Sequence, residues 1–340
     1  MAGKIIISKD GFLDLMQDRV FSLSLTIIII AIVASIIWPR IFPTFDNLSL
    51  VLLNLSIDSI VAVGMMILLI SGAFDLSVGS VVAFSGGLAA HLMYYYGVNV
   101  PISILAGLAS AGLIGLTNGY FVAKVGINPM IQTLAMMGIV RGGALMVSGA
   151  GIPNLPESFN ALGQARIFGV QSPVWIMLIL VLIFSILVSR TIFFRRYYYI
   201  GGNEKAAELS GIRVKNMRIY AFILISLLAG FAGILLASRL GAAMSTSGRG
   251  MELRVITAVI LGGASLLGGQ GKIIGALLGT IFMGLIGNIM IIARVSGYWQ
   301  EIVLGIILIL AVWIDIALKK RGGMKFRVYQ KRMLNLNTDN

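Results

Sequence analysis

Residues 201–238, GGNEKAAELSGIRVKNMRIYAFILISLLAGFAGILLAS, decide how this chain is read. The second part, 217–238, is an unbroken apolar run of the length a helix needs to cross a bilayer, about 20 residues. The first part, 201–216, is charged and rich in small side chains. The rest of the chain repeats the apolar half of this pattern. Of its 340 residues, 58% are hydrophobic and only 11% are charged, and the mean hydropathy is +0.98. That leaves too little polar surface to cover a soluble protein of this size, so the bilayer is the solvent.

Ten apolar segments are expected to span: 20–38, 48–70, 76–96, 101–123, 130–148, 173–193, 217–238, 252–268, 273–293 and 299–318. The fold class is therefore all-α, a polytopic membrane protein with about ten transmembrane helices and cytoplasmic N- and C-termini. The domain reading is a cytoplasmic segment 1–19, a transmembrane region 20–318 containing a cytoplasmic loop 194–216, and a basic cytoplasmic tail 319–340. The net charge of +13 would suit nucleic acid, but Lys and Arg cluster at the ends of apolar runs. They orient the chain and do not form a phosphate-binding face, so no nucleic-acid partner is expected. Positive loops stay in the cytoplasm, which places 190–218 and the tail inside when the spans are even in number. Residues 1–19 mix Lys4, Lys9 and Arg19 with Asp10, Asp14 and Asp18, and no cleavage pattern follows 20–38, which reads as a retained first span. Trp38, Trp175 and Trp299 fall at outer interfaces and Trp313 toward the inner one, as an aromatic belt predicts. The outer loop 149–172 is rich in Gly, Pro and Asn. It is expected to be irregular or to hold a short surface helix, and is either a docking surface for an outside partner or a plain connector.

No chemistry is legible. The phosphate-loop pattern is absent; in LLGGQGKII, 266–274, Leu266 and Ile273 stand where Gly and Ser/Thr are required. There is no Cys and one His, His91, so no thiolate or imidazole metal cage and no hydrolytic triad can be assembled. No catalytic residue, metal or cofactor is expected. Ionisable residues inside spans point to transport: Asp58 in the second, Asp75 at the break after it, and Arg141 in the fifth. Pairing of Asp58 or Asp75 with Arg141 would lower the cost of burying each, and keeps open an ion-gradient-driven secondary transporter. Two Gly-rich stretches, SGAFDLSVGS (71–80) and GGASLLGGQG (262–271), interrupt apolar sequence as broken helices along a pathway do. Asp75, Ser77 and Gly79 are the pathway-side candidates of the first. GLTNG (115–119) and GALLG (275–279) fit close helix packing instead.

Residues 203–213 are expected to form a short helix capped by Asn203, with Glu204 in the first turn and Arg213 and Lys215 at the end. Ala206, Ala207, Ser210 and Gly211 make one flat stripe, with Leu209 and Ile212 beside it. Such a stripe suits a groove on another protein; the basic residues around it suit anionic lipid.

Several stretches together resemble the permease subunits of bacterial ABC importers of the ribose and simple-sugar type, within a group that also serves branched-chain amino acids and nucleosides. KAAELSG (205–211) is similar to the family's cytoplasmic coupling motif, with Lys205 where Glu is usual. GAFDLSVGS (72–80) is similar to its Gly-x-x-Asp-Leu-Ser-Val-Gly signature. INPMIQTLAMMGIVRGGAL (127–145), GMELRVITAVILGGASLLGGQGKIIGALLG (250–279) and YWQEIVLGIILI (298–309) agree in order and spacing, except that Arg254 stands where an acidic residue is expected. The resemblance implies a non-enzymatic inner-membrane subunit that translocates a sugar-like solute by alternating access. It implies cytoplasmic ATPase subunits docked on Glu204, Ala206, Ala207, Ser210 and Gly211. It also implies a periplasmic or extracellular solute-binding protein and a second permease copy, identical or not. Asp75, Ser77, Gly79, Asp58 and Arg141 are the pathway residues on this reading. A permease for branched-chain amino acids or nucleosides has the same architecture and stays open.

Overall fold

A computed structural model describes residues 19–313 and 315; the expectations placed on 1–18 and on the tail 319–340 lie outside them. Eight helices are long and apolar enough to span: α1 (Arg19–Ile37), α2 (Phe45–Ile70), α3 (Val78–Tyr96), α4 (Val100–Tyr120, prolonged by a π turn Phe121–Val125), α5 (Pro129–Ser148), α7 (Ser172–Arg190), α10 (Val214–Leu240) and α12 (Ile273–Ile292). Between them lie α6 (Glu157–Gln164), α8 (Ile192–Gly202), α9 (Glu204–Leu209) and α11 (Met251–Leu261). A shorter apolar helix, α13 (Gly297–Trp313), follows α12. Starts are set by local chemistry. Thr44, Asn99 and Asn128 accept from Asn47 N, Ile102 N and Met130 N, and Pro sits in the first turns of α4 and α5, where its missing N–H costs nothing.

Eight of the expected segments match long helices within a few residues, and the tenth is α13. The eighth is corrected. A helix does not fill 252–268; α11 ends at Leu261 and the chain continues in turns. Before it, residues 241–250 run without helix from the end of α10, bridged at Ala243 to Ile152, and reach Gly79 at the start of α3. Residues 241–261 are thus half irregular chain and half short helix, and part of the backbone freed in the irregular half is satisfied by Arg141 and by the bridge to Ile152. Arg19 donates to Asp315 at 2.9 Å, so the two described ends share one face, as an even number of crossings requires.

The centre is α2, buried continuously from Ser59 to Ile70. It is apolar all round, which is how a fully enclosed helix reads. α10 lies across α2, α3 and α4; α12 and α11 close the other side. Helices in lipid gain little from hydrophobic exclusion and rely on close packing. At Gly233 an added Cβ would collide with the Val82 carbonyl, and at Gly86 it would lie 2.6 Å from the Gly233 carbonyl. α3 and α10 therefore touch backbone to backbone. The outer faces of α1, α4 and α5 carry exposed Ile28, Ile36, Leu105, Leu113 and Ile139, the composition expected against acyl chains.

The loop 149–172 contains the short helix α6 and a small antiparallel pair, β1 (Arg166–Ile167) with β2 (Val170–Gln171). It is pinned to the end of α10. Ser238 Oγ donates to the Phe159 carbonyl at 2.6 Å and accepts from Gly163 N at 2.7 Å, and Phe159 is fully buried. Phe168 at the hairpin turn is 89% exposed.

Candidate functional site

The first Gly-rich break is braced from inside. Asp75 Oδ1 accepts from Ser77 N at 2.7 Å and from Ser77 Oγ at 2.6 Å. Asn118 of α4 donates to Asp75 Oδ2 at 3.2 Å and to Ser77 Oγ at 3.1 Å, and Gln132 of α5 donates to Asn118 Oδ1 at 3.3 Å. Asp75, Ser77 and Asn118 are all at 0% exposure. A carboxylate placed where helix α2 has stopped and α3 has not begun thus satisfies the backbone freed by the break and ties it to two more helices. Asn118 and Gln132 were not singled out from sequence; the signal available was an amide inside otherwise apolar spans.

The expected pairing of Asp58 or Asp75 with Arg141 is not what forms. Asp58 on α2 pairs with Arg254 on α11, Nε to Oδ2 at 3.1 Å. Arg141 on α5 donates to two main-chain carbonyls, Ser245 at 2.7 Å and Ser247 at 2.8 Å. The physical reason is the irregular stretch 241–250: its carbonyls lack helical donors, and a guanidinium satisfies two of them at once. Gly79 packs on the same stretch, where an added Cβ would meet the Gly248 carbonyl and lie 2.6 Å from Glu252 Oε2. Arg141, Gly79, Asp58 and Arg254 therefore all engage the half-irregular segment 241–261. Arg254, where sequence similarity led to an acidic residue, is the partner that makes Asp58 tolerable in the span.

At the end of α2 the two breaks meet each other. Gly269 N donates to the Ile70 carbonyl at 2.9 Å. A Cβ at Gly268 would lie 2.8 Å from Gly201 Cα and 2.9 Å from Gly72 Cα. Tyr198 Oη donates to the Gly271 carbonyl at 2.8 Å, and burial pushes the neighbouring Tyr197 phenol above its ordinary range. Gly201 lies in the last turn of α8, so the segment 203–213 follows directly from the point where both breaks touch.

That segment is shorter than expected. α9 covers Glu204–Leu209, with Asn203 Oδ1 accepting from Ala206 N at 3.0 Å. Gly211 then turns left-handed at φ 82° and ends it. The flat stripe divides: Ala207 is buried in the protein, while Ala206, Ser210 and Gly211 are exposed. Leu209, 89% exposed, is the largest apolar group presented. Glu204 forms a two-point pair with Arg218, 2.9 and 3.2 Å. Among the described residues, no three His, Cys, Asp or Glu side chains converge as metal ligands do. The arrangement is one of close glycine contacts and polar braces.

Comparison with known proteins agrees with that architecture. Residues 47–312 match the family described as branched-chain amino acid transport system / permease component. The ribose import permease protein RbsC of Escherichia coli K12 is 38% identical over 306 residues, 88% of this chain and 94% of that protein. The L-arabinose transport system permease protein AraH of the same strain is 40% identical over 292 residues, 86% and 89% of the two chains. The Bacillus subtilis ribose import permease is 37% identical over 294 residues, 86% and 91%. No solved structure matches. A family match from the first turn of α2 to the end of α13, together with these identities, shows that the chain belongs to the branched-chain amino acid transport system / permease component family and is a multi-pass membrane permease.

Proposed function

We propose that this permease is the membrane-spanning subunit of an inner-membrane ABC importer for a pentose-like sugar, with ATP hydrolysed by separate subunits. The observation that carries the reading is the near-full-length identity to ribose and arabinose permeases, which includes both Gly-rich breaks and α9. The ATPase docks on α9 and the turn after it. Leu209, Ala206, Ser210 and Gly211 form the contact face, while Asn203 and the Glu204–Arg218 pair hold the helix in place. Movement of α9 reaches the spans through Gly201, because that residue touches both breaks. Asp75 and Ser77 keep the first break rigid; Gly79, Asp58 and Arg141 bear on the half-irregular segment, which borders the solute path. A solute-binding protein meets the outer face at α6 and the exposed hairpin around Phe168, and a second permease copy completes the path.

The test is reconstitution in proteoliposomes with the cognate ATPase and binding protein. Labelled ribose or arabinose is expected to accumulate only with ATP on the ATPase side. Uptake by the permease alone, driven by a proton or sodium gradient and indifferent to ATP, would refute the reading.

A further inference from the structure

We propose that the cavity framed by α2, α11, α12 and α13 is a holding site for a polyhydroxylated solute inside this chain, with the Asp58–Arg254 pair as its floor. The inference rests on the sugar-import reading and adds the site where the sugar pauses. The cavity measures about 310 Å³, at the small end of the range of ligand pockets and large enough for a molecule of pentose size. Its outer rim is an amide pair: Asn47 Nδ2 donates to Asn288 Oδ1 at 3.2 Å, and Asn288 Nδ2 donates to Asn47 Oδ1 at 2.8 Å. Asn47 opens α2 and Asn288 lies near the end of α12, both on the side assigned to the outside. The floor lies deeper. Asp58 Oδ2 accepts a hydrogen bond from Arg254 Nε at 3.1 Å, and Arg254 Nη1 donates to the Arg249 carbonyl at 3.2 Å. Among the described residues, Asp58 Oδ1 and Arg254 Nη2 have no partner, and the two side chains are 23% and 31% exposed to the cavity side.

Physics restricts the occupant. A half-open ion pair at membrane depth is costly against hydrocarbon, so an acyl chain filling this space would leave the free oxygen and nitrogen unsatisfied. A sugar would not. Its hydroxyls donate to the Asp58 oxygen and accept from the Arg254 nitrogen, and its C–H faces rest on the apolar walls, the mixture of wall and polar anchor usual in small-molecule sites. Glu252 and Glu301 add negative charge around Arg254, which opposes the carboxylate of an amino acid and leaves neutral hydroxyls unaffected.

Two facts make the test direct. The chain has no Cys, and an added Cβ at Gly287, which lines the cavity, meets nothing within 4 Å. Gly287→Cys is therefore a strain-free reporter in the assembled importer. A charged, membrane-impermeant methanethiosulfonate is expected to modify it from the outer side. Ribose or arabinose, supplied with the binding protein, is expected to slow that reaction about tenfold, equivalent to about 1.4 kcal/mol; leucine is not. Gly287→Leu, which fills the space, is expected to reduce ATP-driven uptake at least about tenfold, again about 1.4 kcal/mol, at an unchanged level of protein in the membrane. Modification only by a lipid-soluble maleimide would mean an acyl-filled cleft and overturn the proposal. So would a thiol that neither sugar protects, or normal uptake by Gly287→Leu. If the wild-type complex imports neither sugar, the parent reading fails and this one with it; if wild type imports and the reporter stays unprotected, the cavity assignment alone is wrong.

Discussion

Replacing Asp75 separates two accounts of the signature stretch 72–80, one as solute contact and one as structural brace. The side chain is fully buried and accepts three hydrogen bonds, two from Ser77 at 2.7 and 2.6 Å and one from Asn118 at 3.2 Å. Distances of that shortness belong to charge-assisted bonds, roughly twice as strong as neutral ones. Asp75→Ala strands the Ser77 N–H, the Ser77 hydroxyl and one Asn118 N–H in a dry site. At about 1–3 kcal/mol for each unsatisfied group, and allowing for the non-additivity of groups in one network, the loss is about 3–5 kcal/mol. Asp75→Asn keeps an acceptor for Ser77 but sets an NH₂ against the Asn118 NH₂. Asn118 cannot turn over without losing its bond from Gln132, so the cost is about 1–3 kcal/mol. Thermal unfolding of the purified protein in detergent, followed by tryptophan fluorescence, should rank wild type above Asp75→Asn above Asp75→Ala. At roughly 2–4 °C per kcal/mol for domains of 150–250 residues, the alanine variant should melt roughly 6 °C or more below wild type. If it melts with wild type and only uptake is lost, the brace is refuted and Asp75 touches solute.

Gly211→Trp meets nothing within 4 Å of its added Cβ and costs about 1–3 kcal/mol of backbone strain at φ 82°. It should still reach the membrane at a level equal to Gly211→Ala, which carries the same strain, yet abolish the solute-stimulated ATP hydrolysis that Gly211→Ala retains; equal stimulation in the two variants rules out the docking role. Gly233→Ala forces a methyl onto the Val82 carbonyl and should cost about 1–3 kcal/mol. Gly138→Ala, in a helix with open space beside it, should stabilise by about 0.5–1 kcal/mol; opposite shifts in melting temperature check the pair. Glu204→Gln removes a pair whose carboxylate is half exposed, so stability should fall by less than about 1 kcal/mol and less still at high salt, read from the same melts.

The membrane class, the position of nearly every span and the short capped helix after Asn203 are legible in sequence because each is a one-dimensional quantity. Apolar runs have a length, Lys and Arg mark their ends, and Asn203 caps a helix wherever it is folded. The family resemblance extended that to function because motifs such as GAFDLSVGS and KAAELSG keep their order. What escaped is what depends on which helix lies beside which. Asp58, Asp75 and Arg141 all read as partners in want of charge; only the packing shows Arg141 spent on the carbonyls of Ser245 and Ser247 and Asp58 answered by Arg254. The apolar stretch 252–268 reads as one span, yet Gly262 must let the backbone turn against Gly275, so α11 ends early. The small residues of 206–211 look equivalent on a helical projection. Gly211 at positive φ ends the helix, and tertiary contact buries Ala207 while leaving Leu209 outside. Burial and pairing are properties of neighbours far apart in the chain, and no local pattern encodes them.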